Sequence, residues 1–226
     1  MAGGLAESEI RAMARDLGLD GMFVGTFDRR FPGFARWMRF KRGLTAAIVN
    51  TGFREGGGEH WVAMAWNPAT QRMYVFDPLG WTDAQLSRFY HGFGYLPAVR
   101  GTAEGIASSA RGRDADGREK CVTVRRNGKA VQCTCSGACG LFCLLFLSAF
   151  KHCPTDPDRF PALRDMTGVL AKAPNATCPS VPESLWAPLH ANQTILYRFF
   201  WKTSSYFRAH SRDICKNTAL GLIKTH

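Results

Sequence analysis

The apolar positions of this chain follow two different periods. In SEIRAMARDLGL, residues 8–19, Ile10, Met13 and Leu17 recur at helical spacing, and Gly18 stands where such a helix should stop. FDRRFPGF, residues 27–34, is a turn-rich connection, and LTAAIVNT, residues 44–51, predicts a short buried strand. HWVAMAWNPATQRMYVFDPLGW, residues 60–81, has two apolar runs around Pro68, which predicts a hairpin. TDAQLSRFY predicts a short helix capped by Thr82. Residues 101–120 are rich in Gly, Ala, Ser, Arg and Asp and predict a long exposed loop. CVTVRRNGKAVQ, residues 121–132, predicts two short strands about an Asn127-Gly128 turn.

The run from Leu141 to Phe150 is apolar on every side, which predicts a central buried helix. Lys151 and His152 in its last turn and Pro154 just beyond are suitable stop signals. The run is far too short to cross a bilayer. Residues 153–183 are Pro-rich and predict irregular chain, and residues 191–217 predict one or two amphipathic helices with interleaved Arg and Lys. No internal repeat and no Pro/Gly/Ser linker divides the sequence. The expected architecture is a single α+β domain over residues 1–226, a small mixed sheet packed with the central helix and further helices around it.

Composition sharpens this picture in one respect. Hydrophobic residues make up 46% and charged residues 21%, as in ordinary globular chains, but 29 Lys+Arg against 18 Asp+Glu give a formal charge of +11. Such an excess suits a polyanionic partner, most simply nucleic acid. The basic residues fall in three zones, Arg29–Arg42, Arg111–Lys129 and Arg198–Lys224, and none groups Asn, Gln and Arg as a base-reading helix would. Sequence-independent binding to nucleic acid through its phosphates is therefore expected. The N-terminal MAGGLAESEIRAMARDLG has acids early and no apolar core, so no signal peptide is expected, and the Asn175 and Asn192 sequons should be unused.

Eight cysteines in a chain not exported by the usual route favour thiols, metal ligands or catalysis over a disulfide framework. Cys133, Cys135, Cys139 and Cys143 fall within eleven residues. Zinc is the weaker reading: the C-x-C-x3-C-x3-C spacing lacks the paired knuckles of structural sites and has no neighbouring His. No metal is expected. Cys143 lies one turn inside the apolar helix and reads as core; the roles of Cys133 and Cys135 stay open. Cys139 lies at the first turn, where unpaired N–H groups and the helix dipole favour the reactive thiolate. Gly137, Ala138 and Gly140 around it leave room for a substrate backbone.

A cysteine nucleophile needs a base, and the base needs an orienting group. A tight turn centred on Pro68-Ala69 places His60 directly opposite Asp77, with Cβ atoms ~5 Å apart on one face of the sheet. Gln132, seven residues before Cys139, could aim its amide at a developing oxyanion beside the Cys139 N–H.

GTFDRRFPGF, AIVNT, GGGEHWVAMAWNP, YVFDPLGW, VQ…ACGLFC and SSYFRAHS occur in that order along most of the chain. In this combination the sequence resembles the adenovirus proteases (adenains), cysteine endopeptidases of the ubiquitin-like-protease clan. The resemblance implies His60 as general base, Asp77 (often Glu in the family) as its partner, Gln132 as oxyanion donor and Cys139 as nucleophile. It implies cleavage of viral precursor proteins after Gly, in the virion and the host nucleus. It also implies activation by viral DNA and by a short peptide from a viral precursor protein, disulfide-linked here to Cys121, eleven residues before Gln132. A monomer without membrane association is expected. Arg36–Gly43 and Gly101–Gly117 look like basic insertions relative to the family pattern, and Cys133 and Cys135 like additions. The rival readings are a basic virion core protein with structural cysteines and a deubiquitinase-like protease of the same clan.

Overall fold

The computed structural model describes residues 4–38, 43–108, 121–170 and 186–220. Five strands form one mixed sheet in the order β1 (Phe23–Phe27), β2 (Thr45–Asn50), β3 (Trp61–Asn67), β4 (Arg72–Phe76) and β5 (Thr123–Arg126). The inner pairs β2/β3 and β3/β4 are antiparallel, and the outer pairs β1/β2 and β4/β5 are parallel. The helices among the described residues are α1 (Glu7–Asp16), α2 (Ala35–Met38), α3 (Asp83–Phe89), α4 (Leu96–Ala107), α5 (Cys139–His152), α6 (Pro161–Arg164), α7 (Trp186–Thr203) and α8 (Ser205–Thr218). The α+β expectation holds.

Every residue of β2 and β3 is buried, because the sheet is covered on both faces. Ala46, Ile48, Ala63, Ala65, Tyr74 and Phe76 point to α5, together with α1, α7 and α8. Val49, Val62, Met64, Trp66, Met73 and Val75 point to a second core built from Phe31, Phe34, α3 and α4. The strict alternation between the two cores is the period of a strand, hidden in the sequence because both faces are apolar. Helix α5 is buried at each position from Cys139 to Phe150, as its uniform apolarity requires. Ser204 adopts an extended backbone (φ −123°, ψ 119°) and accepts a hydrogen bond from the Phe207 N–H, which breaks the C-terminal helical stretch in two. Asp16 accepts from Ser204, Ser205 and the Tyr206 N–H, tying α1 to the start of α8. Burial acts against the Asp16 carboxylate, but these bonds outweigh it and hold its pKa below the usual value.

Five features differ from the sequence expectation. Strand β1 was not anticipated; FVGTF is only partly buried and carries Gly25 at φ +128°. The hairpin turn is a four-residue loop, Pro68–Gln71, between paired Asn67 and Arg72, not a tight turn centred on Pro68-Ala69. Asn67 Oδ1 accepts from the Ala69 N–H and Gln71 takes a left-handed φ of 53°, which together absorb two more residues in the turn. Only β5 forms around Asn127; Ala130 instead makes an isolated bridge with Val169. The region from 153 to 170 contains α6 and a 3-10 turn at Pro157–Arg159.

The fifth difference is the expected loop from residue 101, which is helix as far as Ala107. Its glycines serve close packing. A Cβ on Gly101 would collide with the Pro32 carbonyl, and one on Gly105 would lie 2.6 Å from Ala35 Cβ. Thr102 Oγ1 accepts from the Phe34 N–H at 2.9 Å across the same contact. Residues 109–120 of that expected loop, 39–42 of the first basic stretch, 171–183 of the Pro-rich stretch with Asn175, and the basic zone beyond residue 220 lie outside the described residues.

An unpacked helical glycine replaced by alanine would gain about 1 kcal/mol. Gly101→Ala should instead lose about 1–3 kcal/mol through overpacking. Urea unfolding measures the sign, and a stabilised variant would refute the packing role.

Candidate active site

The site lies where the N-terminus of α5 meets the β3/β4 end of the sheet. Ala63 pairs with Phe76, so Asp77 continues opposite Val62, and His60 lies two residues farther along. The expected direct opposition of His60 and Asp77 is thus corrected to a diagonal relation. A register change of two residues keeps both side chains on the same face, so the pair still meets. His60 Nε2 donates to Asp77 Oδ1 at 2.7 Å, and the two side chains are 3% and 0% exposed.

Asp77 is held from all sides. Its Oδ1 also accepts from the Leu79 N–H and its Oδ2 from the Trp81 N–H, both at 3.0 Å. Asn127 grips its backbone, accepting from the Asp77 N–H at 2.8 Å and donating to the Asp77 carbonyl at 2.6 Å. A buried carboxylate is tolerated only where such bonds replace water. Tyr90, at the C-terminal end of α3, stacks on the imidazole with ring centroids 5.3 Å apart and planes within 9°. Burial, with the charges of Asp77 and Cys139 nearby, pushes the Tyr90 phenol well up, so it stays neutral as a lid on the ring.

Cys139 is the first residue of α5 and is 5% exposed. The N-cap, Ala138, offers no side-chain hydrogen bond, so no side-chain cap competes for the first N–H groups of the helix. The Cys139 thiol lies near enough to the His60 ring to favour its charged form, alongside Asp77. Because Nε2 is engaged by Asp77, Nδ1 is the nitrogen left for the sulfur. Burial works against a charged His60, but the Asp77 charge and hydrogen bond and the Cys139 thiol outweigh it, so the imidazole is pushed up to about 10.

The remaining expected residues separate clearly. Gln132 is 2% exposed; its Nε2 donates to the Ser136 carbonyl at 2.6 Å, and its Oε1 has no partner among the described residues. One N–H of the amide is therefore still available. Cys143 is fully buried and donates to the Trp61 carbonyl at 3.3 Å; burial, then the Cys139 and Asp77 charges, raise its thiol well above the ordinary value. It is core, as expected. Cys133 and Cys135 form a disulfide in the loop before α5. Cys121 is exposed, two residues before the edge strand β5. Asn192 is buried, donating to the Val131 and Thr167 carbonyls. Sequence reasoning missed Tyr90 and Asn127 as parts of the site. Their distance from His60 and Asp77 along the chain left no local signal.

A thiol at a helix start, an imidazole touching it and a carboxylate behind the imidazole are suited to acyl transfer, the chemistry of a peptidase. The chain belongs to the adenovirus endoprotease family, whose family model matches residues 23–222. It is 45% identical over 223 residues to the protease of snake adenovirus serotype 1 and 44% identical to that of bovine adenovirus 4, covering 99% of this chain and of each relative. It is 41% identical to the protease of human adenovirus B serotype 3, over 96% of this chain and 93% of that one. The protein is thus a viral protease.

His60 gives this geometry a measurable consequence. A histidine whose folded pKa lies above its unfolded value of about 6.5 stabilises the fold fully below that pH, and the contribution fades as pH rises through about 10. NMR titration should show the His60 ring protonated through neutral pH and losing its proton near 10. In Asp77→Asn the transition should move to lower pH, because the opposing charge is gone. An unchanged titration in that variant would show that Asp77 does not set the proton affinity.

Proposed function

We propose that the protein is a cysteine endopeptidase of virion maturation, cleaving viral precursor proteins after Gly. The contact of the Cys139 thiol with a His60 that is held by Asp77 carries this reading. In the proposed cycle His60 holds the thiol proton as imidazolium, and the Cys139 sulfur attacks the scissile carbonyl carbon. The carbonyl oxygen becomes an oxyanion that accepts from the Cys139 N–H and from the amide N–H of Gln132. As the tetrahedral adduct collapses, His60 gives its proton to the departing amine and a thioester to Cys139 remains. Water then attacks the thioester, losing a proton to His60; collapse releases the carboxylate product and returns the starting pair. Asp77 keeps the ring oriented and supports its charge, and Tyr90 covers its face.

Peptide hydrolysis tests these roles. Cys139→Ala and His60→Ala should abolish turnover, Asp77→Asn should be less damaged, and Cys143→Ala should keep much of it. Gln132→Ala should cost about 10²–10³ in kcat. Full activity in Cys139→Ala, or preference for ubiquitin-type over Gly-containing viral-type peptides, would refute the proposal.

The activators follow from the family. A short peptide from a viral precursor would be disulfide-linked at Cys121 and extend along β5, whose outer edge is open to a further strand among the described residues. The route from that edge to the site is short: Asn127, immediately after β5, grips Asp77. Viral DNA would be held through phosphate contacts. In α7 and α8 the exposed Arg198, Lys202, Arg208, Arg212 and Lys216 stand against one acid, Asp213. Such a protease would act on the genome, inside virions and in the host nucleus, on substrates packed around the same DNA. Both activators can be followed together. A Cys-containing activator peptide should give a mixed disulfide at Cys121 by mass spectrometry. DNA affinity should fall steeply with salt, equally for random and defined duplexes. An adduct elsewhere than Cys121, or a flat salt plot, would overturn the respective assignment.

A further inference from the structure

Cys133, Cys135 and His190 form a second cluster of reactive side chains that the proposed hydrolysis does not use. The two sulfurs and an imidazole nitrogen lie within 4.8 Å of one another, although His190 is 55 residues away, in the first turns of α7. The Cys135 sulfur is 3.0 Å from His190 Nε2, and the Cys135 N–H donates to the Cys133 sulfur at 3.3 Å. Cys133 is fully buried against Leu189 and Val169, whereas Cys135 is exposed and His190 half-buried. The cluster therefore has an apolar floor and an open mouth. The four-cysteine reading of the sequence lacked a nearby imidazole; the fold supplies one and leaves Cys139 and Cys143 on α5 for other roles.

We propose that in the reduced protein Cys133, Cys135 and His190 bind one Zn²⁺ and so tie the loop that carries Gln132 to helix α7. Two thiolates and one imidazole select a thiophilic cation over Mg²⁺ or Ca²⁺. Three protein ligands leave the fourth tetrahedral position, at the open mouth, to water or a small ligand. Two thiolate charges neutralise the cation, which suits a half-buried site. The N–H donated to the Cys133 sulfur is the outer-sphere support that metal thiolates require. In the disulfide form the sulfurs cannot ligate. Two molecules of a low-molecular-weight thiol reduce that disulfide, becoming one disulfide themselves and leaving two cysteine thiols. Zinc then binds, and the thiol protons are released to solvent. Metal and disulfide are alternative clasps on one loop: the disulfide closes Cys133 on Cys135, while zinc adds His190 and joins the loop to α7. Gln132 directly precedes Cys133, so either clasp bears on the position of its amide.

The test uses the full chain carrying Cys139→Ala, which removes self-cleavage and metal capture by the Cys139–His60 pair. After phosphine reduction without oxygen, Co²⁺ should bind with a single equivalent, giving tetrahedral visible bands and thiolate charge-transfer absorption, and Zn²⁺ should displace it. Loss of an outer-sphere partner costs about 10–100-fold in affinity, so loss of a ligand should exceed about 100-fold. That loss is expected for Cys135→Ser and for His190→Ala, each at a surface-accessible position that tolerates substitution better than Cys133. Cys215→Ala should bind as the parent does, and the oxidised chain should not bind. Absence of stoichiometric binding by the reduced chain would overturn the proposal, as would equal binding by the oxidised chain. Undiminished affinity in both Cys135→Ser and His190→Ala would do the same.

Discussion

The burial of α5 on every side is the constraint on which the rest of the structure depends. A helix without a polar face must be enclosed, and here β2 to β4 cover one side while α1, α7 and α8 cover the other. Its first turn is the part of this helix that must remain chemically open, since its N–H groups have no partners within the helix. Cys139 occupies that turn, fixed by core packing behind it and presented at the sheet end that carries His60 and Asp77. A helix enclosed on every side thus holds the Cys139 sulfur at its first turn. Gly140 beside it serves packing, since a Cβ there would lie 3.1 Å from Leu5 Cδ1 and 3.4 Å from Ile10 Cδ1.

The second requirement is electrostatic. A carboxylate with no exposed surface beside an imidazole is costly unless every lone pair is satisfied. Asp77 meets this with two backbone N–H groups, the His60 ring and the Asn127 grip on its own peptide unit. The network fixes the imidazole with Nε2 to the acid, which leaves Nδ1 as the nitrogen free of Asp77. It also ties the site to β5, the edge strand two residues after Cys121, because Asn127 follows that strand and holds Asp77. Tyr90 and the Cys133–Cys135 loop add restraints of the same kind from other directions, one over the ring and one beside Gln132.

Much of this was legible in the amino-acid order. The run from Leu141 to Phe150, the apolar strands around Pro68 and the Thr82 cap follow from periodicity and local chemistry, which act over a few residues. The position of Cys139 at a helix start is local too, as is the burial of Cys143 one turn on. Even the incorrect hairpin register led to the right pair, because an error of two residues preserves the face of a strand. Gly101 and Gly105 misled for a physical reason: glycine marks both loops and close helix packing, and only the presence of Pro32 and Ala35 against α4 distinguishes them. What tertiary structure alone decided are the contacts between distant segments: the stacking of Tyr90 on His60, the grip of Asn127 on Asp77 across 50 residues, and the meeting of Cys135 with His190 across 55. Such contacts leave no period in the sequence, since they are set by how whole elements pack and not by the preferences of the residues between them.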